Sequence, residues 1–190
     1  MFLPERLGYD EETQGRIARA AGLKTYHKDR VEAFLYPDRD PLGTGWNKMQ
    51  SEIAIGSGSL TGKGWREGTA NVLGYLPKTV APSDFIFAVV AEEKGFLGAV
   101  TVLVLFGTVI AGALLTAASA IDKMGRLLCV GVATMLFTHV FVNVAMTMGV
   151  LPIIGIPLPL MSHGGSFAVS MMLVLGIVQS VYVRRRFVRY

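Results

Sequence analysis

A glycine-rich stretch at residues 56–65, GSGSLTGKGW, has the composition of a loop that wraps a phosphate group. A nucleotide-binding Walker loop requires Gly-x-x-x-x-Gly-Lys-Ser/Thr, because its backbone N–H groups cradle the phosphates and its hydroxyl holds Mg²⁺. Here Ser57 occupies the position of the first glycine, and Gly64 occupies that of the hydroxyl residue. We therefore predict no nucleotide cofactor at this loop, although its N–H groups could bind a different anion.

Acidic side chains at the start of the next apolar segment are the second candidate for chemistry. A carboxylate within hydrogen-bond reach of a hydroxyl can act as a general base, and Asp84 is such a residue. Asp84 also follows Pro82 and Ser83, an order typical of a helix start, where the side chain caps backbone N–H groups. The local sequence favours the capping role. Glu92 and Glu93 are expected in an interfacial turn that faces solvent.

The elements that must position these residues are long apolar helices. The chain has 190 residues, is 52% hydrophobic and has a mean hydropathy of +0.47, which is high for a soluble domain. Three runs almost free of charge lie at residues 97–118, 127–148 and 164–183. Each is close to the ~20 residues that a helix needs to cross a bilayer. We predict an all-α, polytopic membrane protein with three transmembrane helices.

Basic residues predict the orientation of the spans, since short loops rich in Lys and Arg stay in the cytoplasm. Lys123 and Arg126 lie in the link after the first span, and four arginines lie in the C-terminal tail. Residues 149–166, between the second and third spans, contain no Lys or Arg. The link and tail are therefore expected in the cytoplasm, and residues 1–83 outside it. The sequence contains no basic stripe with interleaved aromatic residues, so it does not indicate nucleic acid binding. It has a single cysteine, Cys129, which excludes disulfide and zinc frameworks.

Several stretches, in order along the chain, resemble the SEDS family (shape, elongation, division and sporulation proteins). They include DPLGTGWN and QSEIAIGSG in the outer segment, SDFIF at Asp84, and PLPLMSHGGS after the second span. The resemblance runs from Tyr26 to the end of the chain and is closest to the C-terminal part of the rod-shape (RodA) branch. It implies the last three helices of a ten-helix fold. Residues 1–83 would form an extracytoplasmic segment, with residues 1–25 outside the resemblance, and residues 84–190 a membrane domain.

The resemblance implies a peptidoglycan glycosyltransferase of cell elongation and cell shape, which polymerises lipid II at the outer face of the bacterial cytoplasmic membrane. Such proteins work with a class B penicillin-binding protein. The family's essential aspartate corresponds to Asp84, so the resemblance favours a general base over a cap. The departing pyrophosphate would need cations. The candidate cations are Lys63, Arg66 and Lys78. For each of them the alternative is a loop charge that is only solvated. A divalent cation such as Mg²⁺ or Mn²⁺ could assist.

Polar residues near the second and third spans carry two interpretations each. His139 and Asn143 lie on one helix face, where an interhelical hydrogen bond is favoured over a functional role. The loop after the second span resembles the family's re-entrant loop, with His163 in place of its usual tyrosine. Its substrate-binding candidates are Ser162, Gly164, Gly165 and Ser166. Close packing permitted by glycine is an equal alternative.

The chain would need the earlier SEDS helices as a partner, because the family's substrate groove is walled by them too. We therefore expect the chain to be inactive alone. The alternative hypotheses are a non-enzymatic scaffold for the penicillin-binding protein, a lipid II flippase, and an inactive remnant.

Overall fold

The computed structural model describes Arg30, Phe34 and residues 44–68 and 83–184. The helices in the two continuous ranges are α1 (Thr44–Ser57), α2 (Ile86–Ser119), α3 (Lys123–Thr147) and α4 (Gly165–Arg184). The last three are long and apolar enough to cross a membrane, with mean hydropathies of 2.3, 2.0 and 1.9. The prediction of an all-helical protein with three spans is confirmed.

Helix α2 is longer than the predicted first span and contains a break. Its 34 residues would measure roughly 50 Å at ~1.5 Å per residue, well beyond the ~30 Å of a hydrocarbon core. Gly95 interrupts the helix with a φ of 66° and a ψ of −167°, so that residues 86–94 and 96–119 form two segments. The short first segment begins two residues after Asp84.

A capped turn joins α2 to α3. The side chain of Asp122 is the N-cap of α3 and accepts a hydrogen bond of 3.0 Å from the backbone N–H of Gly125. A guanidinium N–H of Arg126 donates to the carbonyl oxygen of Ala120 at 3.1 Å. These bonds satisfy backbone groups at both helix ends, which fixes α2 and α3 as a hairpin.

Apolar side chains hold the helices together in three clusters. Phe106 of α2 and Val140 of α3 belong to one cluster, and Leu136 of α3 packs with Met171 of α4 in another. In the third, Ala54 of α1 packs with Phe85 at the start of α2. Helix α1 therefore lies against the end of the hairpin at which Asp84 is found.

The loop between α3 and α4 returns to this same end. Its backbone turns at Gly149 and Gly155, whose φ values are 72° and 80°. Ile153 of the loop joins the cluster that contains Phe85. Asp84, α1 and the loop are thus brought together at one end of the three spans.

Candidate active site at the start of helix α2

The Asp84 carboxylate does not cap helix α2. The N-cap position is occupied by Phe85, and no side chain forms a capping hydrogen bond there. Capping, which the local sequence favoured, is therefore wrong for Asp84. Within the part of the chain that the structure describes, no residue forms a hydrogen bond or ion pair with its half-buried carboxylate. The carboxylate is consequently available to a ligand.

Asn143 fixes the backbone of Asp84 against the loop. Its side-chain N–H groups donate to the carbonyl oxygen of Asp84 at 3.0 Å and to that of Ile156 at 2.7 Å. Asn143 is completely buried, and its Oδ1 has no hydrogen-bond partner within the described residues. The nearby His139 has its Nδ1 3.3 Å from the carbonyl oxygen of Pro157. These polar groups bond to backbone carbonyls of Asp84 and of the loop, where we expected a bond to another helix.

Ser162 ties the loop to the residue before Asp84. Its hydroxyl donates to the carbonyl oxygen of Ser83 and accepts a bond of 2.7 Å from the N–H of Leu158. Because Ser162 is buried, its hydroxyl serves the packing of the site in this structure. Substrate contact by Ser162 stays a prediction.

The other loop candidates lie at the start of α4. Gly165 and Ser166 are exposed, and Gly164 is half-buried. A Cβ at Gly165 would meet nothing within 4 Å, and one at Gly164 would meet only Phe167 in the next turn, at 3.6 Å. Close packing among the described residues therefore does not explain these two glycines, and their contact with substrate stays a prediction.

Arg30 and Asp84 meet at Gly155, a contact that the sequence analysis missed. A Cβ at Gly155 would lie 3.1 Å from Asp84 Oδ2 and 3.7 Å from Arg30 Nη1. Arg30 Nη1 also donates to the carbonyl oxygen of Ile153 at 2.6 Å. A carboxylate and a guanidinium therefore both lie beside Gly155, where the absence of a side chain leaves room next to them.

Lys63 is bound to a buried carboxylate. Its Nζ lies 2.7 Å from Glu92 Oε1, and only 1% of the Glu92 side chain is exposed. Glu93 is buried as well. The expectation that Glu92 and Glu93 face solvent is wrong, because residues 58–68 fold back over them and Lys63 neutralises Glu92.

The glycine-rich stretch binds the broken helix through its backbone. Lys63 N–H donates to the Glu92 carbonyl at 3.0 Å, and Gly64 N–H donates to that of Glu93 at 3.1 Å. Beyond the break, the N–H groups of Phe96 and Leu97 donate to carbonyl oxygens in the same stretch, at 2.9 and 3.2 Å. We call residues 58–64 the clasp loop. Its N–H groups and carbonyl oxygens together replace the hydrogen bonds that the helix loses at Gly95.

The remaining basic candidates lie elsewhere. Arg66 is exposed and has a φ of 62°, and Lys78 lies outside the described residues. Next to Arg66 in the sequence, the exposed Trp65 ring has the Lys94 ammonium 5.0 Å from its centre. Contact between substrate and any of Lys63, Arg66 and Lys78 stays a prediction.

Comparisons with known proteins agree with this architecture. A family model described as "Cell cycle protein" (FTSW_RODA_SPOVE) matches residues 16–187, starting upstream of Tyr26. The chain is 45% identical over 164 residues to "Peptidoglycan glycosyltransferase MrdB" of Escherichia coli K12, covering 86% of this chain and 44% of that protein. It is 41% identical over 163 residues to "Peptidoglycan glycosyltransferase RodA" of Treponema pallidum, covering 86% and 37%.

A solved structure is also similar. It is described as "Structural coordination of polymerization and crosslinking by a peptidoglycan synthase complex", and it matches with a TM-score of 0.69 and 34% identity. The match covers 89% of this chain and 45% of that one. The chain belongs to the FtsW/RodA/SpoVE family, the SEDS proteins, and is close to its RodA/MrdB members. It spans less than half the length of the relatives named here.

Proposed function

We propose that this chain supplies the catalytic half of a peptidoglycan glycosyltransferase that polymerises lipid II for cell elongation and cell shape. The observation that carries the proposal is the Asp84 carboxylate, which lacks a partner among the described residues while its backbone is held by Asn143. A general base needs a carboxylate that is positioned but not already occupied. The names of the two relatives describe the same activity.

The reaction joins two sugars by a single displacement. The hydroxyl oxygen of one lipid-linked sugar forms a bond to the anomeric carbon of another, and the bond from that carbon to the pyrophosphate breaks. Asp84 accepts the hydroxyl proton, and the pyrophosphate leaves with the bonding electron pair. Attack opposite the leaving group converts an α-linked donor into a β-linked product. Proton transfer to a positioned base contributes about 10²–10⁴-fold to such rates.

Charge that develops on the pyrophosphate must be stabilised by cations. In the described part of the chain, no group of three or more His, Cys, Asp or Glu side chains is placed to hold a metal ion. We therefore derive no step through Mg²⁺ or Mn²⁺. Lys63 is engaged by Glu92 in this structure, so a role for it in substrate binding would require that ion pair to open.

The proposal includes partners that complete the site. Polypeptide bearing the earlier SEDS helices would wall the lipid groove, since this chain corresponds to 44% of the E. coli relative. A class B penicillin-binding protein would cross-link the strands, in keeping with the polymerization and crosslinking ascribed to the similar complex. The protein would lie in the cytoplasmic membrane with Asp84 at its outer face and the tail inside.

The test is lipid II polymerisation in vesicles that contain this chain together with the N-terminal half of the E. coli relative. We expect glycan strands from the wild type and from Glu67→Gln, which alters an exposed carboxylate of the outer segment. Asp84→Ala should lose at least about 100-fold in rate. Equal polymerisation after Asp84→Ala would refute the role of the base. Transfer of lipid II across the vesicle membrane that is independent of Asp84, without polymerisation, would indicate a flippase instead.

A further inference from the structure

We infer that Arg30 binds the diphosphate of a polyprenyl-linked sugar beside Asp84. This inference rests on the proposed function, because it assigns the anion-binding group of the same site. The observation behind it is the shared surface at Gly155, where Asp84 Oδ2 and Arg30 Nη1 lie 3.1 and 3.7 Å from one point, the place of the missing Cβ. No other described arginine or lysine lies nearer to that point.

The separation of the two groups suits a displacement at one carbon. A base acts at about 2.6–3.2 Å from the attacking hydroxyl, and the reacting atoms start about 3–3.5 Å apart. The base and the cation that receives the leaving group must therefore both lie close to the one reacting carbon. Asp84 Oδ2 and Arg30 Nη1, both within 3.7 Å of the place of the missing Gly155 Cβ, meet that requirement.

The chemistry of arginine matches a diphosphate. Its planar guanidinium has five N–H donors in a fork that fits phosphate oxygens in pairs. One nitrogen, Nη1, is oriented by the 2.6 Å bond to the carbonyl oxygen of Ile153. Because Ile153 is buried beside Phe85, the guanidinium is held against the same cluster that fixes the start of α2.

Gly155 explains why the loop leaves this space open. Its φ of 80° lies in the left-handed region, which disfavours any side chain. A Cβ would also come 3.1 Å from the Asp84 carboxylate. Glycine at this position therefore leaves the space beside the carboxylate and the guanidinium unfilled.

The experiment measures binding of undecaprenyl diphosphate to the reconstituted chain and E. coli N-terminal half, and polymerisation by the same vesicles. In an Asp84→Asn background, which isolates binding from turnover, Arg30→Gln should weaken binding at least tenfold and Arg30→Lys should restore part of it. Undecaprenol, which lacks the diphosphate, should bind all variants equally. Lys123→Gln, which alters an exposed basic residue of the α2–α3 link, is the control and should bind as its parent does.

The binding measurement tests the role of Arg30 separately from polymerisation. Undecaprenyl diphosphate binding that is unchanged by Arg30→Gln overturns the inference, whatever happens to polymerisation. If Arg30→Gln lowers the unfolding temperature, the comparison is made with Arg30→Lys, which keeps the charge but loses the planar fork. Weaker diphosphate binding by Arg30→Lys than by the parent then supports the inference, and equal binding overturns it. Failure of the proposed function is distinguishable, since it would show as full polymerisation by Asp84→Asn.

Discussion

The ion pair between Lys63 and Glu92 shows how single residues set the geometry at this end of the molecule. A buried carboxylate is costly unless it is paired, and Glu92 is paired by Lys63 at 2.7 Å. Glu92 lies in the short helical segment that begins two residues after Asp84. The pair therefore joins the clasp loop to the part of α2 that follows the candidate base.

Reversing the two charges tests this role. We expect Lys63→Glu and Glu92→Lys, taken singly, to destabilise the protein, by up to about 3–5 kcal/mol for a fully buried pair and by less here because Lys63 is partly exposed. The double variant should recover part of the loss. The measurement is thermal unfolding in detergent, with Lys48→Glu, whose partner Glu52 is 3.9 Å away and exposed, as control. A double variant no more stable than either single one would argue against a specific pair.

Sequence reasoning identified some of these residues and missed others for physical reasons. Asp84 could be identified because its motif is local. Arg30 could not, because the bond that orients it joins residues 123 positions apart. Asn143 was assigned to an interhelical bond because helix periodicity predicts which face of α3 it lies on. Periodicity does not predict which irregular loop packs on that face. Glu92 was placed in solvent because its partner lies 29 residues earlier in the sequence.

At the scale of elements, the central feature is the break in α2. The three apolar runs predicted the spans because hydropathy over about 20 residues is a strong local signal. The break was not predictable in this way, since Gly95 adopts its φ of 66° against the backbone of the clasp loop. Helix α2 begins at Ile86, close to the start that the order Pro82, Ser83 and Asp84 predicted, and Glu92 lies within it, paired with Lys63.

Two glycines of α2 allow a substitution at the break to be compared with one in the regular helix. We expect Gly95→Ala to destabilise strongly, because its Cβ would lie 2.3 Å from the backbone nitrogen of Gly62 and its φ is left-handed. Gly107→Ala should be neutral or stabilise by about 0.5–1 kcal/mol, since its Cβ meets nothing within 4 Å and alanine favours a helix. Unfolding temperatures of the two variants provide the measurement. Equal effects would mean that the break is not required.

At the scale of the whole molecule, the described helices leave much apolar surface uncovered. Only 17%, 33% and 6% of the most apolar windows of α2, α3 and α4 are buried. Apolar surface on this scale requires lipid or further helices to cover it. The chain spans less than half the length of its relatives. The uncovered apolar surface agrees with the proposal that it acts beside the helices that come earlier in those relatives.

Orientation in the membrane can be tested on the chain itself. With the native thiol removed by Cys129→Ala, single cysteines replace the exposed Trp65 of the outer segment or the exposed Lys123 of the α2–α3 link. A membrane-impermeant maleimide should label Trp65→Cys in intact spheroplasts and Lys123→Cys only after lysis. This follows from retention of basic links in the cytoplasm. The reverse labelling pattern would place Asp84 on the wrong side for lipid-linked sugars and would contradict the proposed mechanism.

The most direct measurement separates substrate binding from chemistry at Asp84. Vesicles that contain the chain and the E. coli N-terminal half are loaded with lipid II, and the single-turnover rate is compared for wild type and Asp84→Asn. The amide keeps the size of the side chain but cannot accept the hydroxyl proton. We predict lipid II binding within about twofold of wild type and a rate lower by about 10²–10⁴-fold. A wild-type turnover rate in Asp84→Asn would contradict the assignment of Asp84 as the general base.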